Sequence, residues 1–413
     1  MATDLRSLPT SGERRLAVRV TPDVERHIRA GHPWVYADSI TSVSHDGRPG
    51  DLAVVFDGKR RFAAIGLWDP SSPIRLRVLH AGRPRTIDDG FWRDRVAATI
   101  ERRRPLIDDP ATTAMRLVHG ENDGLPALVI DRYDTVVVVK VYSAAWIPWL
   151  GAVVDALVDL ERPTSVVLRW SRNVGEAERH GLTDGQIVAG EPVDEPVRYR
   201  ENDLWALAHP RTGQKTGAFL DQRDNRARVR DLALGGSVLD VFCCTGGFSV
   251  HAAAGGARSV HSVDIAGPAV AVTEASMAAN AAVPAIAACE HTTAVGDAFD
   301  VMEALASARR RFDLVVVDPP SFAQRADDVD RARRAYTRLT HLALDLLPPG
   351  GILVQASCSS RVTADAFHDG IHAAARRAGR RLGEIARTAH PLDHPVGFAQ
   401  GAYLKAMFAT VDP

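Results

Sequence analysis

Apolar residues recur along this chain in short runs, and the way polar residues interrupt them divides the chain into three regions. Leu16-Ala17-Val18-Arg19-Val20 and Ile74-Arg75-Leu76-Arg77-Val78 place apolar side chains at every second position, as half-exposed strands do. Leu52-Ala53-Val54-Val55-Phe56 is a continuous apolar run, and Asp57-Gly58-Lys59 after it is a hairpin turn signal. Residues 15–80 therefore read as a small β-barrel. Residues 84–115 are rich in arginine and aspartate at helical spacing and read as a link. Beyond them, strands are expected at 125–130 and 136–141 around an Asp131-Arg132-Tyr133-Asp134 turn. A helix is expected at 144–160, with further strands at 165–169, 197–200 and 204–208. That order describes a small α+β unit without an evident catalytic cluster.

From residue 210 the pattern changes. Strand-like runs at 238–242, 259–263, 293–295, 312–317, 351–356, 384–388 and 403–410 alternate with helical runs, 268–281 and 331–347 among them. Such alternation predicts a mainly parallel sheet. The expected fold class is α/β: a Rossmann-like domain preceded by a small β-barrel domain and a small α+β domain. The expected boundaries are 1–83, 84–208 and 209–413. A chain of 413 residues is too long for one ordinary core and shows no internal repeat.

Composition narrows the class. With 46% hydrophobic and 24% charged residues the chain is that of a soluble globular protein. Cys243, Cys244, Cys289 and Cys358 do not form a disulfide pattern, so a reducing, cytoplasmic setting is expected. The first residues lack the apolar core of a signal peptide. The most apolar long region, 135–160, is broken by Lys140, Pro148 and Asp155, so no membrane span is expected. A net charge of −1 argues mildly against an obligate nucleic-acid binder. Arginines nevertheless cluster at 102–104, 309–311, 331–334 and 376–381. Each cluster alone reads as a solvated helix face. Several brought onto one face would make a phosphate track.

The candidate chemistry lies at the strand ends of the last region, where open α/β sheets bind ligands. An acid stands in or beside the end of four successive strands: Asp240, Asp264, Asp297 and Asp318. Between the first strand and its helix runs Cys243-Cys244-Thr245-Gly246-Gly247-Phe248, whose glycines permit close approach to a ligand. This loop is not G-x-G-x-x-G. Asp264 suits ribose hydroxyls, Asp297 an adenine amine, and Asp240 a cationic ammonium or sulfonium. S-adenosylmethionine has those groups and no phosphate, so it fits an acidic lining better than a dinucleotide. A single such acid is more often a helix cap; four at one sheet edge favour a ligand. Cys243 and Cys244 read as small buried hydrophobes.

Two further segments carry the reaction. In Asp318-Pro319-Pro320-Ser321-Phe322 the prolines fix the backbone and lack N–H donors, which leaves carbonyls to accept from an exocyclic amine. Phe322 is placed to stack on a base. In Ser357-Cys358-Ser359-Ser360 a thiol stands at the next strand end. C5 of cytosine is too weak a nucleophile to take a methyl group directly. A thiolate adding to C6 makes C5 enamine-like, and Asp318 can stabilise the base edge as charge builds at N3. A lone cysteine is also often structural, and the residues by themselves leave both readings open.

With these residues in place, the chain resembles the RlmI-type class I S-adenosylmethionine-dependent ribosomal RNA methyltransferases. The likeness covers nearly the whole chain. It includes Gly31-His32-Pro33-Trp34-Val35-Tyr36, Gly120-Glu121-Asn122-Asp123-Gly124-Leu125-Pro126 and Ile130-Asp131-Arg132-Tyr133. The long run Gln214-Lys215-Thr216-Gly217-Ala218-Phe219-Leu220-Asp221-Gln222-Arg223 is its best single marker. The Thr245-Gly246-Gly247-Phe248 loop, the Asp-Pro-Pro and Ser-Cys-Ser segments, Asp393-His394-Pro395 and Gly401-Ala402-Tyr403-Leu404-Lys405 complete it. The resemblance implies a PUA domain, a small central domain and a methyltransferase domain. It implies 5-methylcytidine formation in large-subunit ribosomal RNA with Cys358 as nucleophile. It implies that 215–223 packs against the cofactor, so Lys215, Phe219, Asp221, Gln222 and Arg223 join Asp240, Cys244, Thr245, Gly246, Gly247, Asp264, Asp297 and Asp318 as cofactor contacts. Pro319, Pro320, Ser321 and Phe322 would meet the substrate base. Cys243-Cys244 stands where Ser-Tyr is expected, and Ser321 stands where lysine is common, which leaves its base contact open.

Large-subunit ribosomal RNA is the expected partner; a homodimer stays open, and no metal is called for. An RNA methyltransferase acting on a nitrogen would need no cysteine, and an asparagine at 358 would have favoured it. A catalytically silent RNA-binding factor would not need the four acids. A small-molecule methyltransferase would leave two accessory domains without purpose.

Overall fold

A computed structural model describes residues 4–323 and 325–412. The chain forms two compact units: one of Met1–Tyr199, Ala208–Leu220 and Leu392–Phe398, the other of Arg200–Leu207, Asp221–Pro391 and Ala399–Pro413.

The first unit holds two sheets. Its six-stranded sheet is built on Leu52–Phe56, Phe62–Trp68 and Ile74–Ala81, paired antiparallel in succession. Leu16–Val20 joins Leu52–Phe56 in parallel, Ile40–Val43 pairs beyond it, and Trp34–Tyr36 forms the opposite edge. The turn after Phe56 closes as expected: the Asp57 carboxylate accepts from the N–H groups of Lys59 and Arg61 at 2.9 and 2.8 Å. The five-stranded sheet runs in the order Gln186–Gly190, Ser165–Trp170, Val136–Val141, Leu128–Tyr133, Ala114–His119.

Three expectations need correction here. The Asp131-Arg132-Tyr133-Asp134 segment is not the turn, because Asp131 to Tyr133 complete a strand and the reversal falls at Asp134, with φ 54°. These polar residues stay in a buried strand because they are partnered. Asp131 accepts from Arg116 at 2.8 Å and from Thr216 at 2.5 Å, and the Tyr133 hydroxyl meets Thr216 at 3.1 Å. Secondly, region 84–115 is more than a link. Its helix Asp89–Arg102 buries Phe91, Trp92, Val96 and Ile100 in the core of this unit. Finally, strands Ala114–His119 and Gln186–Gly190 escape the periodic reading, one interrupted by an arginine and the other short.

The second unit is a seven-stranded sheet. Within it we label β1 Ser237–Val241, β2 Ser259–Asp264, β3 Glu290–Val295, β4 Leu314–Val317, β5 Ile352–Ser357, β6 Leu382–Thr388 and β7 Lys405–Val411. The helices are α1 Arg223–Leu232, α2 Gly247–Ala254, α3 Gly267–Ala279, α4 Ala298–Ser307, α5 Val329–Leu346 and α6 Ala364–Arg377, with a short turn of helix at Pro284–Ala288. The order is β3-β2-β1-β4-β5-β7-β6, parallel except for β7, which runs against both neighbours. Alternate residues feed two cores. Leu239, Val241, Val315, Val317 and Leu353 pack beneath α4, α5 and α6. Val238, Val260, Val316 and Phe408 pack on the other face with residues of α1, α2 and α3. Asp240 shares the parity of Val238, so its side chain enters the face covered by α1 and α2. Strand order reverses between β1 and β4, which opens a crevice at their C-terminal ends. Among the described residues no helix is long and apolar enough to cross a membrane.

The first unit contains a fully buried ion pair. Arg103 and Asp123 have no exposed side-chain surface and form a two-pronged bridge at 2.9 and 2.6 Å. Arg103 also donates to the carbonyls of Arg116 and Asp393, both at 2.9 Å. Removing one partner of such a pair strands a charge. Asp123→Ala should cost about 3–5 kcal/mol, read as a lower urea midpoint by tryptophan fluorescence. The probe suits this unit, because of the seven tryptophans only Trp205 lies in the other. An unchanged midpoint would refute it.

Candidate active site

The β1 end is shaped by its backbone. Phe242, Cys244 and Gly246 all adopt left-handed conformations, with φ of 65°, 51° and 78°. The loop can be this tight because of its glycines. A Cβ on Gly246 would sit 2.5 Å from Thr273, and one on Gly247 would sit 2.4 Å from Arg226. Thr273 of α3 fixes the loop from behind, donating to the Cys244 carbonyl at 3.0 Å, and Ser276 donates to the Thr245 carbonyl at 3.2 Å. Asp264, at the β2 end, accepts from the Cys244 N–H at 3.0 Å and the Ala266 N–H at 2.9 Å. Burial pushes the Cys244 thiol up to about 11 and the Cys243 thiol further still, so both stay protonated as the sequence suggests.

Asp240 lies fully buried. One carboxylate oxygen accepts from Ser249 of α2 at 2.6 Å, and Ser249 continues to Ser262 and His291. The other oxygen, Oδ1, has no hydrogen-bond partner among the described residues. Burial raises this acid to about 6, against the pull of Ser249 and Arg226. Asp318, directly after β4, is raised further, to about 7, by burial and then by the nearby Asp221 and Asp240. Gln222 hydrogen-bonds to it and Arg226 opposes the rise, while part of its surface still reaches solvent. Asp221 accepts from the Tyr403 hydroxyl at 2.9 Å. Arg226 is itself buried and donates to both oxygens of Glu201 at 2.9 Å. Three carboxylates and a guanidinium that is already paired leave this pocket poor in positive charge.

The next strand end brings Cys358 to the Asp-Pro-Pro segment. Its thiol donates to the Pro319 carbonyl at 3.8 Å. Pro319 is buried, Pro320 exposed, and Ser321 and Phe322 half-buried. The Phe322 ring rests against Tyr336 with centroids 5.3 Å apart, and the Tyr336 hydroxyl meets Ser357 at 2.8 Å. Ser359 and Ser321 both donate to the Ala323 carbonyl, which ties the two loops together.

The sequence reading thus finds Asp221, Gln222, Asp240, Cys244, Asp264, Asp318, Pro319 and Cys358 gathered at one edge of the sheet. Arg223 opens α1 and is buried. Asp297 is exposed, and one oxygen caps α4 by accepting from the N–H groups of Phe299 and Asp300. Lys215 and Phe219 belong to the first unit, where the Lys215 ammonium sits 4.3 Å from the Phe219 ring centroid. Sequence reasoning missed Arg226, Tyr336 and Lys405. Lys405 opens β7, nearly buried, and its ammonium donates to the carbonyls of Ser359, of Val362 at 2.7 Å and of Tyr403 at 3.1 Å. Its signal was a lysine at the head of the apolar run Ala406-Met407-Phe408-Ala409. Burial lowers it to about 8, and Cys358 pulls the other way.

The sequence pattern of the S-adenosylmethionine-dependent methyltransferase family matches residues 116–408, and that of the PUA-like domain matches residues 18–81. The chain belongs to the S-adenosylmethionine-dependent methyltransferase family. It is 45% identical over 411 residues to the ribosomal RNA large subunit methyltransferase of Deinococcus radiodurans, covering 98% of this chain and 100% of the relative. It is 34% identical to ribosomal RNA large subunit methyltransferase I of Shewanella frigidimarina, with 96% and 99% covered. The structure of a candidate methyltransferase solved with S-adenosylhomocysteine matches its fold with a TM-score of 0.81 at 21% identity, over 96% of this chain and 99% of that one. A candidate S-adenosylmethionine-dependent methyltransferase from Streptococcus mutans does so with a TM-score of 0.80 at 20% identity, over 95% and 99%. The residues present fit the family's cofactor. Asp240 keeps a buried acceptor without a protein donor among the described residues, and the acids suit a cation without phosphate.

The buried acids set a pH dependence. Asp240 is raised in the folded state, so the unfolded chain loses this proton first and stability falls as pH rises from about 4 to about 6. The rise from 3.8 to about 6 corresponds to about 3 kcal/mol. Asp240→Asn removes the charge and its cost. In cofactor-free protein the variant should gain on the wild type by up to about 3 kcal/mol between pH 4 and pH 7. Denaturation curves that keep a constant gap across that range would contradict it.

Proposed function

We propose that this methyltransferase transfers a methyl group to C5 of a cytidine in large-subunit ribosomal RNA, through addition of the Cys358 thiolate to C6. The observation that carries the reading is the meeting of Cys358 with the Asp318-Pro319 segment, the thiol 3.8 Å from the Pro319 carbonyl. The names of the relatives support the RNA substrate, and the PUA-like match at 18–81 supports residues 1–83 as an RNA-binding domain; residues 84–208 are assigned as a central domain and 209–413 as the methyltransferase domain.

Lys215, Phe219, Asp221, Gln222, Arg223, Asp240, Cys244 to Gly247, Asp264 and Asp297 are assigned to S-adenosylmethionine, which supplies a methyl group on a positively charged sulfur. Asp221, Asp240 and Asp318 give that charge an acidic setting. Pro319, Pro320, Ser321 and Phe322 are assigned to the base. Asp318, with a pKa of about 7, holds its proton in part of the population at neutral pH and can donate it to N3 as the ring gains charge. The sulfur–C6 bond forms as N3 takes the Asp318 proton, and C5 takes the methyl group, leaving S-adenosylhomocysteine. A base removes the C5 proton as the C6–sulfur bond breaks to release the thiolate, and N3 returns its proton to Asp318. Lys405 fixes the carbonyls of Ser359 and Val362 just after Cys358 and sets a positive charge beside the sulfur. That charge favours the thiolate.

Wild-type protein given unmodified large-subunit ribosomal RNA should yield 5-methylcytidine in nucleoside mass spectrometry, and Cys358→Ala should yield none while still binding S-adenosylhomocysteine. A methylated purine, or activity surviving in the variant, would sink the thiolate reading in favour of nitrogen methylation. Lys405→Met should slow alkylation of Cys358 by iodoacetamide at pH 7 by roughly tenfold, a thiolate pKa raised by about one unit. Equal alkylation rates would remove Lys405 from this role.

A further inference from the structure

Two arginine clusters that lie far apart in sequence meet in the second unit. Arg333, Arg334 and Arg338 of α5 and Arg377 of α6 line one cavity of about 450 Å³ between the two helices. His341 joins them, and the described lining contains no carboxylate. Arg338 is paired with Glu303 at 2.6 Å, and the His341 ring bonds to the Ala374 carbonyl at 3.1 Å. Among the described residues no ion pair holds Arg333, Arg334 or Arg377, and all three are exposed. Ala366, Gly370 and Ala373 of α6 form the floor at helical spacing. A Cβ at Gly370 would meet nothing within 4 Å, so no packing demands a glycine inside this helix, and its effect is to leave the floor open.

The groove starts behind the candidate nucleophile. Tyr336 forms its wall and bonds to Ser357, the residue before Cys358, and Val362 lines it while its carbonyl accepts from Lys405. A second cavity, bordered by Ser321, Phe322, Asp328, Arg331 and Ala335, lies on the Asp-Pro-Pro side of the same helix. From Arg334 to His341 the helix rises roughly 10 Å, long enough to follow successive phosphates of one strand.

We propose that the α5–α6 groove binds the phosphodiester backbone of the RNA strand flanking the methylated nucleotide. Like charges in a concave surface without carboxylates focus a positive potential, and the planar fork of arginine matches phosphate oxygens. The position at the back of the Cys358 loop favours a polymer whose reacting unit sits at the strand ends. The proposal rests on the reading that the substrate is RNA.

The test measures binding of a labelled oligouridylate and of the unmodified large-subunit transcript across a salt series. It compares wild type, Arg333→Gln/Arg334→Gln/Arg377→Gln, the corresponding triple lysine variant, and Gly370→Glu, each with S-adenosylhomocysteine binding measured alongside. The glutamine variant should bind at least about tenfold more weakly and lower the salt slope by about 2, near 0.7 for each phosphate no longer neutralised. Lysine should retain most of the binding, Gly370→Glu should weaken it while leaving every arginine in place, and S-adenosylhomocysteine affinity should hold. Unchanged affinity and slope in the glutamine and Gly370→Glu variants would overturn the groove. So would a polyglutamate peptide that competes as well as oligouridylate. Wild type that binds RNA through this groove yet makes no methylated nucleoside would defeat the proposed reaction and leave the groove standing.

Discussion

The parallel register of β1, β4 and β5 is the constraint on which the candidate site depends. Val241 lies opposite Val317, and Val317 opposite Gln355. This alignment brings Phe242, Asp318 and Ala356 to one level, with Cys358 two residues further along. A shift of one residue in either pairing would turn alternate side chains to the opposite face. The register is held by Leu239, Val315 and Leu353 on one face and Val238, Val316 and Val354 on the other, all nearly or wholly buried. The chemistry is therefore placed by apolar packing that takes no part in it.

On that frame the site carries an electrostatic imbalance. Asp221, Asp240 and Asp318 are close enough to disturb one another's protonation, while Arg226, the buried cation among them, is already bonded to Glu201. A cationic ligand would relieve the repulsion, whereas a phosphate would add to it. The cost of burying the acids is borne by the ligand-free fold, which gives the pocket its preference before anything binds. Opposite these acids, Lys405 bonds three backbone carbonyls and so orders the loop after Cys358. Acid on one side and cation on the other separate the residues proposed for the cofactor from the cysteine proposed as nucleophile.

In the second unit Asp221, Asp240 and Asp318 are gathered at the strand ends, while Arg333, Arg334 and Arg377 lie exposed along the groove between α5 and α6. A net charge of −1 conceals this, because the sum over the chain says nothing about which face carries which sign.

Periodicity alone determined the alternation of strand and helix from residue 210 onward. Apolar runs such as Leu314-Val315-Val316-Val317 have no stable place except between two layers of helix. It also placed Asp240, Asp264, Asp297 and Asp318 in or beside the ends of four successive strands, which a parallel sheet brings to one edge, while the order of those strands was left to the tertiary structure. Motif resemblance added the 215–223 run and favoured the catalytic over the structural reading of Cys358. What tertiary structure decided was partnership. Asp131 and Tyr133 read as a turn because they are polar, and only Arg116 and Thr216, neither of them adjacent in sequence, make them strand residues. Asp297 and Asp264 look alike as strand-end acids, yet one caps its own helix and the other ties down the β1 loop. The roles of Lys405 and Arg226 were not legible, although Lys405 heads an apolar run, because a buried cation is defined by the groups around it. The convergence of 331–334 with 376–381 depends on how α5 packs against α6, an outcome of side-chain fit across more than thirty residues of sequence that no local pattern encodes.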